Sequence, residues 1–275
     1  VMILKIAVVQ FEINQYAPEK NLEKAEQFIA KASSDNDLIV FPEDFIAGPL
    51  NGRNEFADYD GRYVKHFQRL ASTYKIDIVP GSIIEGDNTG LYNTTYYIER
   101  NGEIRGRYRK VNLWLPERSY TNPGSDISVF DTRCGRVGLI ICWDLMFPEM
   151  FRAMVKEGVE IVICPSYWCF EDAGKGLKHD SAAEIKLVNA LCVTRVFENE
   201  IALVYANAAG RLSGEEGTST LIGQSQITVP FKGALNALNH NREAMFTQEV
   251  DTVILADAEE AYEIRKDLQK GLFVS

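Results

Sequence analysis

Three apolar runs in the sequence are each followed at once by polar or reactive side chains. They are residues 38–44 (LIVFPED), 139–145 (LIICWDL) and 161–167 (IVICPSY). Continuous apolar runs are typical of strands that are buried on both faces. Ligands of α/β proteins bind beyond the carboxyl ends of such strands. We therefore expect Glu43, Cys142 and the segment 166–168 to face one pocket.

Cys142 is a candidate nucleophile at one of these strand ends. A free thiol has a pKa near ~8.5, so it needs a base or a nearby cation to react at neutral pH. No histidine occupies a comparable position, but a poorly solvated carboxylate can act as the base, and Glu43 is the candidate. Lys110 is a candidate cation for the thiolate and for an oxyanion. Taken alone, a cysteine that ends an apolar strand is more typical of a packed core thiol.

The elements that must position these residues alternate between strands and helices. Asn101-Gly102 joins two alternating segments, which predicts a β-hairpin and therefore a mixed sheet. No linker interrupts the pattern, so we predict one domain over residues 1–275 with two mixed sheets covered by helices. The predicted strands are 3–11, 38–41, 76–84, 92–99, 103–110, 137–142, 160–164, 201–206, 219–229 and 245–253, and we expect the last two to pair with each other. The predicted helices are 18–33, 64–74, 148–157, 181–198 and 256–268.

Composition narrows the classes of function. The net charge of −10 argues against nucleic-acid or anionic-membrane partners, since both require concentrated Lys and Arg. No apolar run approaches the ~20 residues of a membrane span, and no segment is typical of a signal peptide. The five cysteines favour reduced thiols in a cytoplasmic protein. The three histidines are far apart in the sequence, so we expect neither a metal nor a cofactor.

Several motifs, taken in chain order, resemble one known family. Glu43 in VFPED, Lys110 in YRKVNLW and Cys142 in IICWDLMFPE resemble the Glu-Lys-Cys triad of the nitrilase, or carbon–nitrogen hydrolase, superfamily. The resemblance implies a four-layer α-β-β-α sandwich that forms a homodimer or a higher homo-oligomer. Other similar segments are 122–126 (NPGSD), 195–210 (RVFENEIALVYANAAG) and 223–230 (GQSQITVP).

The resemblance also implies a role for each matching residue. Glu43 would take the proton of Cys142, whose thiolate would attack an amide carbonyl or a nitrile carbon. Lys110 and the backbone N–H of Trp143 would stabilise the developing negative charge. Glu43 would then protonate the leaving amine and activate the water that hydrolyses the thioester. Glu117 matches a second glutamate of many members and would orient Lys110 or the substrate.

Aromatic residues beyond the strand ends are the expected substrate contacts. Trp143, Tyr167 and Trp168 are as typical of core aromatics as of pocket lining, and we expect them to line the pocket. Arg195, Glu198 and Asn199 lie in the family-like segment 195–210, and we interpret them as structural residues that hold a helix end against the next strand.

Residues that differ from the common sequence of the family indicate which of its branches the chain resembles. The order Cys-Trp-Asp and then Phe-Pro-Glu is closer to the amidase and carbamoyl-amine hydrolase branches than to nitrilases. Asn112 replaces a common histidine, and Leu145 and Met146 replace an arginine that would bind a substrate carboxylate. We therefore predict hydrolysis of a small linear amide or N-carbamoyl compound, neutral or cationic, with release of ammonia or an amine. Nitrile hydrolysis is the alternative within the class.

Two readings from other classes stay open at this point. An interaction protein could keep the fold without catalysis, although packing alone does not require Glu, Lys and Cys together. A thiol peroxidase or redox sensor would need a second cysteine close to Cys142, and no spacing in the sequence indicates one.

Overall fold

The structure, a computed structural model, describes residues 2–214 and 217–271. These residues form strands β1 (Ile3–Glu12), β2 (Leu38–Val40), β3 (Asp77–Val79), β4 (Ser82–Asp87), β5 (Gly90–Ile98), β6 (Ile104–Arg109), β7 (Ser128–Thr132), β8 (Gly135–Leu139), β9 (Ile161–Ser166), β10 (Ala202–Ala209), β11 (Arg211–Gly214), β12 (Gly217–Thr220), β13 (Gln226–Val229), β14 (Gly233–Ala237) and β15 (Ala244–Asp251). They also form helices α1 (Pro18–Ala32), α2 (Arg62–Tyr74), α3 (Pro148–Lys156), α4 (Ala183–Asn199), α5 (Val253–Tyr262) and α6 (Ile264–Gln269). None of these helices combines the length and the apolarity that a membrane span requires.

Two mixed sheets carry the fold. In the first sheet, β1 pairs with β2 in parallel and with β15 antiparallel, and β5 pairs with β3, β4 and β6. In the second sheet, β9 lies parallel to both β8 and β10, with β7 and the β13–β14 pair at the two sides. The sheets join where the ends of β1 and β10 pair, at Phe11 with Ala208. The predicted mixed sheets are confirmed.

The alternation of side chains along β1 shows how the layers pack. Ile6 and Val8 point from β1 into a core shared with the second sheet, while Val9 and Phe11 pack on the other face against α1 and α2. Because both faces are buried, residues 6–9 of the strand form a continuous apolar run rather than an alternating pattern. Helices α3 and α4 cover the second sheet. The order helix, sheet, sheet, helix confirms the predicted sandwich.

The predicted hairpin around Asn101-Gly102 is confirmed by the pairing of β5 with β6. The predicted strand 76–84, however, is two strands. Pro80 has no N–H to donate, and Gly81 has φ +63° in the left-handed region. A Cβ at Gly81 would lie 1.9 Å from the carbonyl oxygen of Pro42, so only glycine allows the Glu43 loop to lie against this turn.

Two predicted strand ends beside the pocket are also wrong. The strand 137–142 ends at Leu139, and Cys142 begins a short 3₁₀ turn, Cys142–Met146. The strand that was expected to stop before Pro165 continues to Ser166. Strand β8 pairs with β9 only as far as Ile163, so Pro165 lies where the ladder on that side has ended and its missing N–H breaks no bond there.

The C-terminal third departs most from the prediction. The two last predicted strands do not pair with each other, because β13 pairs with β10 and β14 while β15 pairs with β1. Each therefore belongs to a different sheet. The single predicted helix 256–268 is broken into α5 and α6 at Glu263, whose φ of +54° ends the first helix.

Candidate active site

The polar residues that follow the three apolar runs meet in one cavity of about 630 Å³. It opens where loops after β2, β6, β8 and β9 come together. All the residues predicted to do chemistry or to contact the substrate line it: Glu43, Lys110, Glu117, Cys142, Trp143, Tyr167 and Trp168. A cavity of this size suits a small ligand.

Glu43 is fixed by donors from both sheets. It is only 2 % exposed, and its backbone N–H donates to the Ser166 carbonyl at 3.2 Å. The backbone N–H of Tyr167 donates to its Oε2 at 2.9 Å, and the Lys110 ammonium donates to its Oε1 at 2.8 Å. The carboxylate is therefore held in one orientation by the main chain of the second sheet and by a cation from the first.

Lys110 lies between two carboxylates and is 1 % exposed. Its Nζ is 2.8 Å from Glu43 Oε1 and 2.6 Å from Glu117 Oε2. The main chain is fixed as well, because its N–H donates to the Asn93 carbonyl and its carbonyl accepts from Gly124, both at 2.8 Å. A buried ammonium with two carboxylates is compensated, whereas either carboxylate alone at this depth would be costly.

Asn93, on β5, is a second donor that joins the same two carboxylates. Its Nδ2 donates to Glu43 Oε1 and to Glu117 Oε1, each at 2.8 Å, and the residue is 1 % exposed. One amide therefore uses both of its N–H bonds on the site. The sequence prediction missed this residue, which stands in the middle of an ordinary alternating strand.

Cys142 has φ +46°, which is uncommon for a residue with a side chain and marks local strain. Asp144, in the same turn, stabilises this strained conformation through hydrogen bonds to its side chain. Its carboxylate accepts from the Ile141 N–H at 3.0 Å, from the Asn112 N–H at 2.9 Å and from the Tyr108 hydroxyl at 2.8 Å. The thiol itself lies 3.8 Å from the Tyr167 carbonyl oxygen, at the end of β9.

Electrostatics separate the roles that these groups can play. Burial raises the pKa of Glu43, and the charge of Lys110 opposes that rise, as does an interaction with the Cys142 thiol. Burial and the charge of Glu43 raise the pKa of Cys142 well above its usual range. Burial disfavours the Lys110 ammonium, but the two adjacent carboxylates outweigh it and raise the pKa of Lys110. The resting site therefore holds a thiol, a cation and a carboxyl group suited to accept a proton.

The sequence profile of the carbon-nitrogen hydrolase family matches residues 5–258. The chain belongs to this family. Two curated relatives align over nearly the whole hydrolase. The 2-oxoglutaramate amidase of Bacillus subtilis (strain 168) is 28% identical over 98% of this chain and 98% of its own length. The N-carbamoylputrescine amidase of Oryza sativa subsp. japonica is 28% identical over 98% and 93%.

Solved structures of the superfamily share the fold of this hydrolase. A carbon-nitrogen hydrolase from Helicobacter pylori G27 superposes with a TM-score of 0.90 at 20% identity, covering 98% of this chain and 97% of that one. A variant of the amidase from Nesterenkonia sp. AN1 superposes with a TM-score of 0.78 at 22% identity over 98% and 97%. That crystal structure shows covalent addition of the acetamide moiety of fluoroacetamide at its active-site cysteine.

Arg195 of the hydrolase lies closer to the nucleophile than the sequence indicated. Its Nε donates to the Leu145 carbonyl and its Nη2 to the Met146 carbonyl, both at 3.0 Å, and its Nη1 pairs with Glu198 at 2.9 Å. The prediction that it holds a helix end against the next strand is therefore incomplete, because the guanidinium ties helix α4 to the end of the Cys142 turn.

Aromatic rings form much of the wall of the hydrolase cavity. All three tryptophans line it, with ring centroids 4.4 Å apart for Trp114 and Trp143 and 5.6 Å apart for Trp143 and Trp168. Trp168 is only 1 % exposed, and its indole N–H donates to Glu184 at 2.5 Å, so it supports the wall from behind. Tyr120 completes the wall. Trp114 and Tyr120 were not predicted, since their loop carries no strand-end signal.

The other cysteines of the described residues are core groups. Cys164 and Cys192 are fully buried, and Cys169 packs in the core with 3 % exposure and also reaches the cavity wall. No group of three or more His, Cys, Asp or Glu side chains within residues 2–214 and 217–271 is arranged to hold a metal ion.

Proposed function

We propose that the protein is a cysteine-dependent amidase that cleaves the non-peptide C–N bond of a small linear amide or N-carbamoyl compound through a thioester. The observation that carries this proposal is the Lys110 ammonium, which lies within 2.8 Å of both Glu43 and Glu117 in the cavity that contains Cys142. An amidase requires a base, an electrophilic donor and a nucleophile in one place, and packing alone does not.

In the first half of the reaction, the Cys142 sulfur attacks the amide carbonyl carbon while Glu43 accepts the thiol proton. The carbonyl π electrons move to oxygen, and Lys110 donates a hydrogen bond to that oxyanion. The Trp143 N–H is the second donor, because it lies in the first turn of a 3₁₀ segment, where N–H groups lack partners within the helix. Collapse of the intermediate breaks the C–N bond, and Glu43 gives its proton to the departing ammonia or amine.

In the second half, a water molecule attacks the thioester carbonyl and Glu43 accepts the water proton. The intermediate then expels the Cys142 sulfur, which recovers its proton from Glu43, and the acid leaves. Glu43 therefore changes protonation state in each half. Its bonds to the Tyr167 N–H and to Lys110 keep the carboxylate in place throughout. Glu117 orients Lys110 and does not exchange a proton.

The cavity and the relatives support this substrate class. The 2-oxoglutaramate amidase and the N-carbamoylputrescine amidase are both named for linear C–N substrates. We assign Trp143, Tyr167 and Trp168 to the substrate-binding wall, because they line the cavity that holds the nucleophile. The predicted homodimer belongs to the same proposal, and native mass spectrometry of the purified protein tests it.

The proposal is tested by intact-protein mass spectrometry during turnover of small linear amides and N-carbamoyl amines. We expect a mass increase equal to the acyl group, on the peptide that contains Cys142, and release of ammonia. Cys142→Ala should show neither. Cys192→Ala is the matched control, since that thiol is also buried but lies outside the cavity. Ammonia release by Cys142→Ala, or turnover confined to nitriles, contradicts the proposal.

A further inference from the structure

Asp44 is a buried carboxyl group in the cavity wall that the reaction above does not use. It is 7 % exposed and lines the cavity next to Glu43. Its backbone is fixed in the left-handed region at φ +55°, with its N–H 3.2 Å from the Ser82 hydroxyl and its carbonyl 2.7 Å from the Gly48 N–H. The main chain therefore holds the side chain in place.

The Asp44 carboxyl has no donor. Its Oδ1 is buried without a hydrogen-bond partner, and no residue in the described part of the chain donates to either oxygen. Two other aspartates near the site are bonded: the buried Asp144 accepts from the Ile141 and Asn112 N–H groups, and the half-buried Asp172 accepts from the Cys169 N–H at 2.7 Å. A buried polar group without a partner is costly unless a ligand supplies one.

Within residues 2–214 and 217–271, no salt bridge pairs Asp44 with a cation. Two cations among these residues line the cavity: Lys110 is held by Glu43 and Glu117, and the Arg53 Nε lies 2.5 Å from Glu55. Burial and the charge of Glu43 raise the pKa of Asp44 well above its usual value. A cation placed beside Asp44 would therefore keep its carboxylate ionised.

The aromatic wall favours the same kind of ligand. The indoles of Trp114 and Trp143 and the ring of Tyr120 line the cavity that Asp44 lines. An ammonium or guanidinium group is attracted to the faces of such rings. A carboxylate on the substrate would instead meet the acidic side chains of Glu43, Asp44, Glu117 and Asp172 on the lining.

We propose that Asp44 is a specificity residue that binds the cationic, N–H-rich end of the substrate, so that the preferred substrates are amides or ureas with an ammonium group at the far end. This inference rests on the proposed function and names its substrate class. Asp44 takes no part in proton transfer. Its carboxylate accepts hydrogen bonds from the ammonium while the scissile carbonyl lies at Cys142.

The test compares two pairs of probes of nearly equal shape. 5-Aminopentanamide and hexanamide differ by an ammonium in place of a methyl group, and so do N-carbamoylputrescine and N-pentylurea. The measured quantity is the ratio of kcat/KM for the cationic and the neutral member of a pair. We expect the unaltered protein to favour the cationic member, and Asp44→Asn to lower the ratio at least about tenfold, mainly through KM. Asparagine tolerates the left-handed backbone of this position.

Asp172→Asn is the matched control, because this aspartate lines the same cavity but already accepts a backbone hydrogen bond. It should keep the ratio. An equal loss of the ratio in both variants would show a general electrostatic effect of the cavity and overturn the inference. A ratio near one in the unaltered protein would also overturn it. That ratio can be measured even if Asp44→Asn does not fold. If other small linear amides are hydrolysed but none of the four probes is, or if the probes are hydrolysed without cation preference, the role of Asp44 is refuted and the proposed function stands. If no linear amide or N-carbamoyl compound is hydrolysed, the proposed function itself fails.

Discussion

The backbone N–H of Tyr167 donates a hydrogen bond of 2.9 Å to Oε2 of Glu43, across the space between the two sheets. The base is therefore oriented by a main-chain group that no side-chain substitution removes. Its other oxygen depends on side chains, since Lys110 and Asn93 both donate to Oε1. Substitution of Lys110 or Asn93 therefore removes a donor from the base and should change its protonation.

Asn93→Ala should move the acidic limb of the kcat/KM profile to higher pH. The Asn93 N–H stabilises the ionised form of Glu43, so removing it raises the pKa of Glu43 further above its ordinary value. The base acts in its ionised form, so activity should be lost at a higher pH as the solution is acidified. The measurement is a pH–rate profile with one amide.

The control for Asn93→Ala is Asn21→Ala. Asn21 is also fully buried and bonded, but its partners are Asn14 and the Ile46 carbonyl, outside the site. It should lower the melting temperature and leave the acidic limb where it is. If the acidic limb of the kcat/KM profile lies at the same pH in Asn93→Ala and in the unaltered protein, Asn93 does not position the base.

Glu43→Gln should have opposite effects on two reactions of Cys142. Amide hydrolysis should fall by about 10²–10⁴-fold, because no group accepts the thiol proton or protonates the leaving amine. Alkylation by iodoacetamide needs only the thiolate. The negative charge of Glu43 helps to raise the pKa of Cys142, so its removal lowers that pKa and shifts alkylation to lower pH. Peptide mapping after timed alkylation measures the second effect, and unaltered pH dependence would contradict the electrostatic account.

Lys110→Met should destabilise the fold by about 3–5 kcal/mol, because it leaves two buried carboxylates facing each other without a cation. Adding Glu117→Gln should restore part of that loss by removing one of the charges. Urea denaturation at neutral pH, followed by tryptophan fluorescence, gives the free energies of unfolding. Additive losses in the double variant would show that Lys110 and Glu117 are not coupled.

Arg195→Met should lower kcat at least about tenfold with a smaller effect on KM, because the Leu145 and Met146 carbonyls lose their donors and the Cys142 turn is released. Arg152→Met is the control, since Arg152 also donates to a carbonyl, that of Glu198, at 2.6 Å. Both variants should lose stability by about 1–3 kcal/mol. A similar fall of kcat in the two would mean that Arg195 acts on the fold alone.

The sequence predicts the reacting residues of the site better than the residues that surround and position them. Glu43 and Cys142 stand directly after apolar strands, which marks them as groups at the edge of a sheet. Asn93 and Asp44 could not be singled out, because their importance depends on which partners the fold brings to them: two carboxylates for Asn93 and no donor for Asp44.

The predicted strand boundaries were wrong where contacts with a distant segment determine the local conformation. The turn at Gly81 is set by the Pro42 carbonyl, and the early end of the strand before Cys142 is set by the bonds of Asp144 to Asn112 and Tyr108. Apolar periodicity reports burial along one segment and carries no information about these partners. The sandwich itself was predictable, because the continuous apolar runs require two covered faces.

The reactive groups are shared between the two sheets. Glu43, Asn93 and Lys110 lie on strands of the first sheet or within three residues of a strand end, and Cys142 and Tyr167 lie within three residues of strand ends of the second. Neither sheet alone carries the nucleophile, the base and the cation that the proposed reaction needs. A slip of one sheet over the other by about one ångström would part the sulfur from its proton acceptor while most of the packing survived. The catalytic rate therefore reports how the two sheets are aligned. It should fall when the contact between the sheets is strained, before spectroscopic signals of unfolding change.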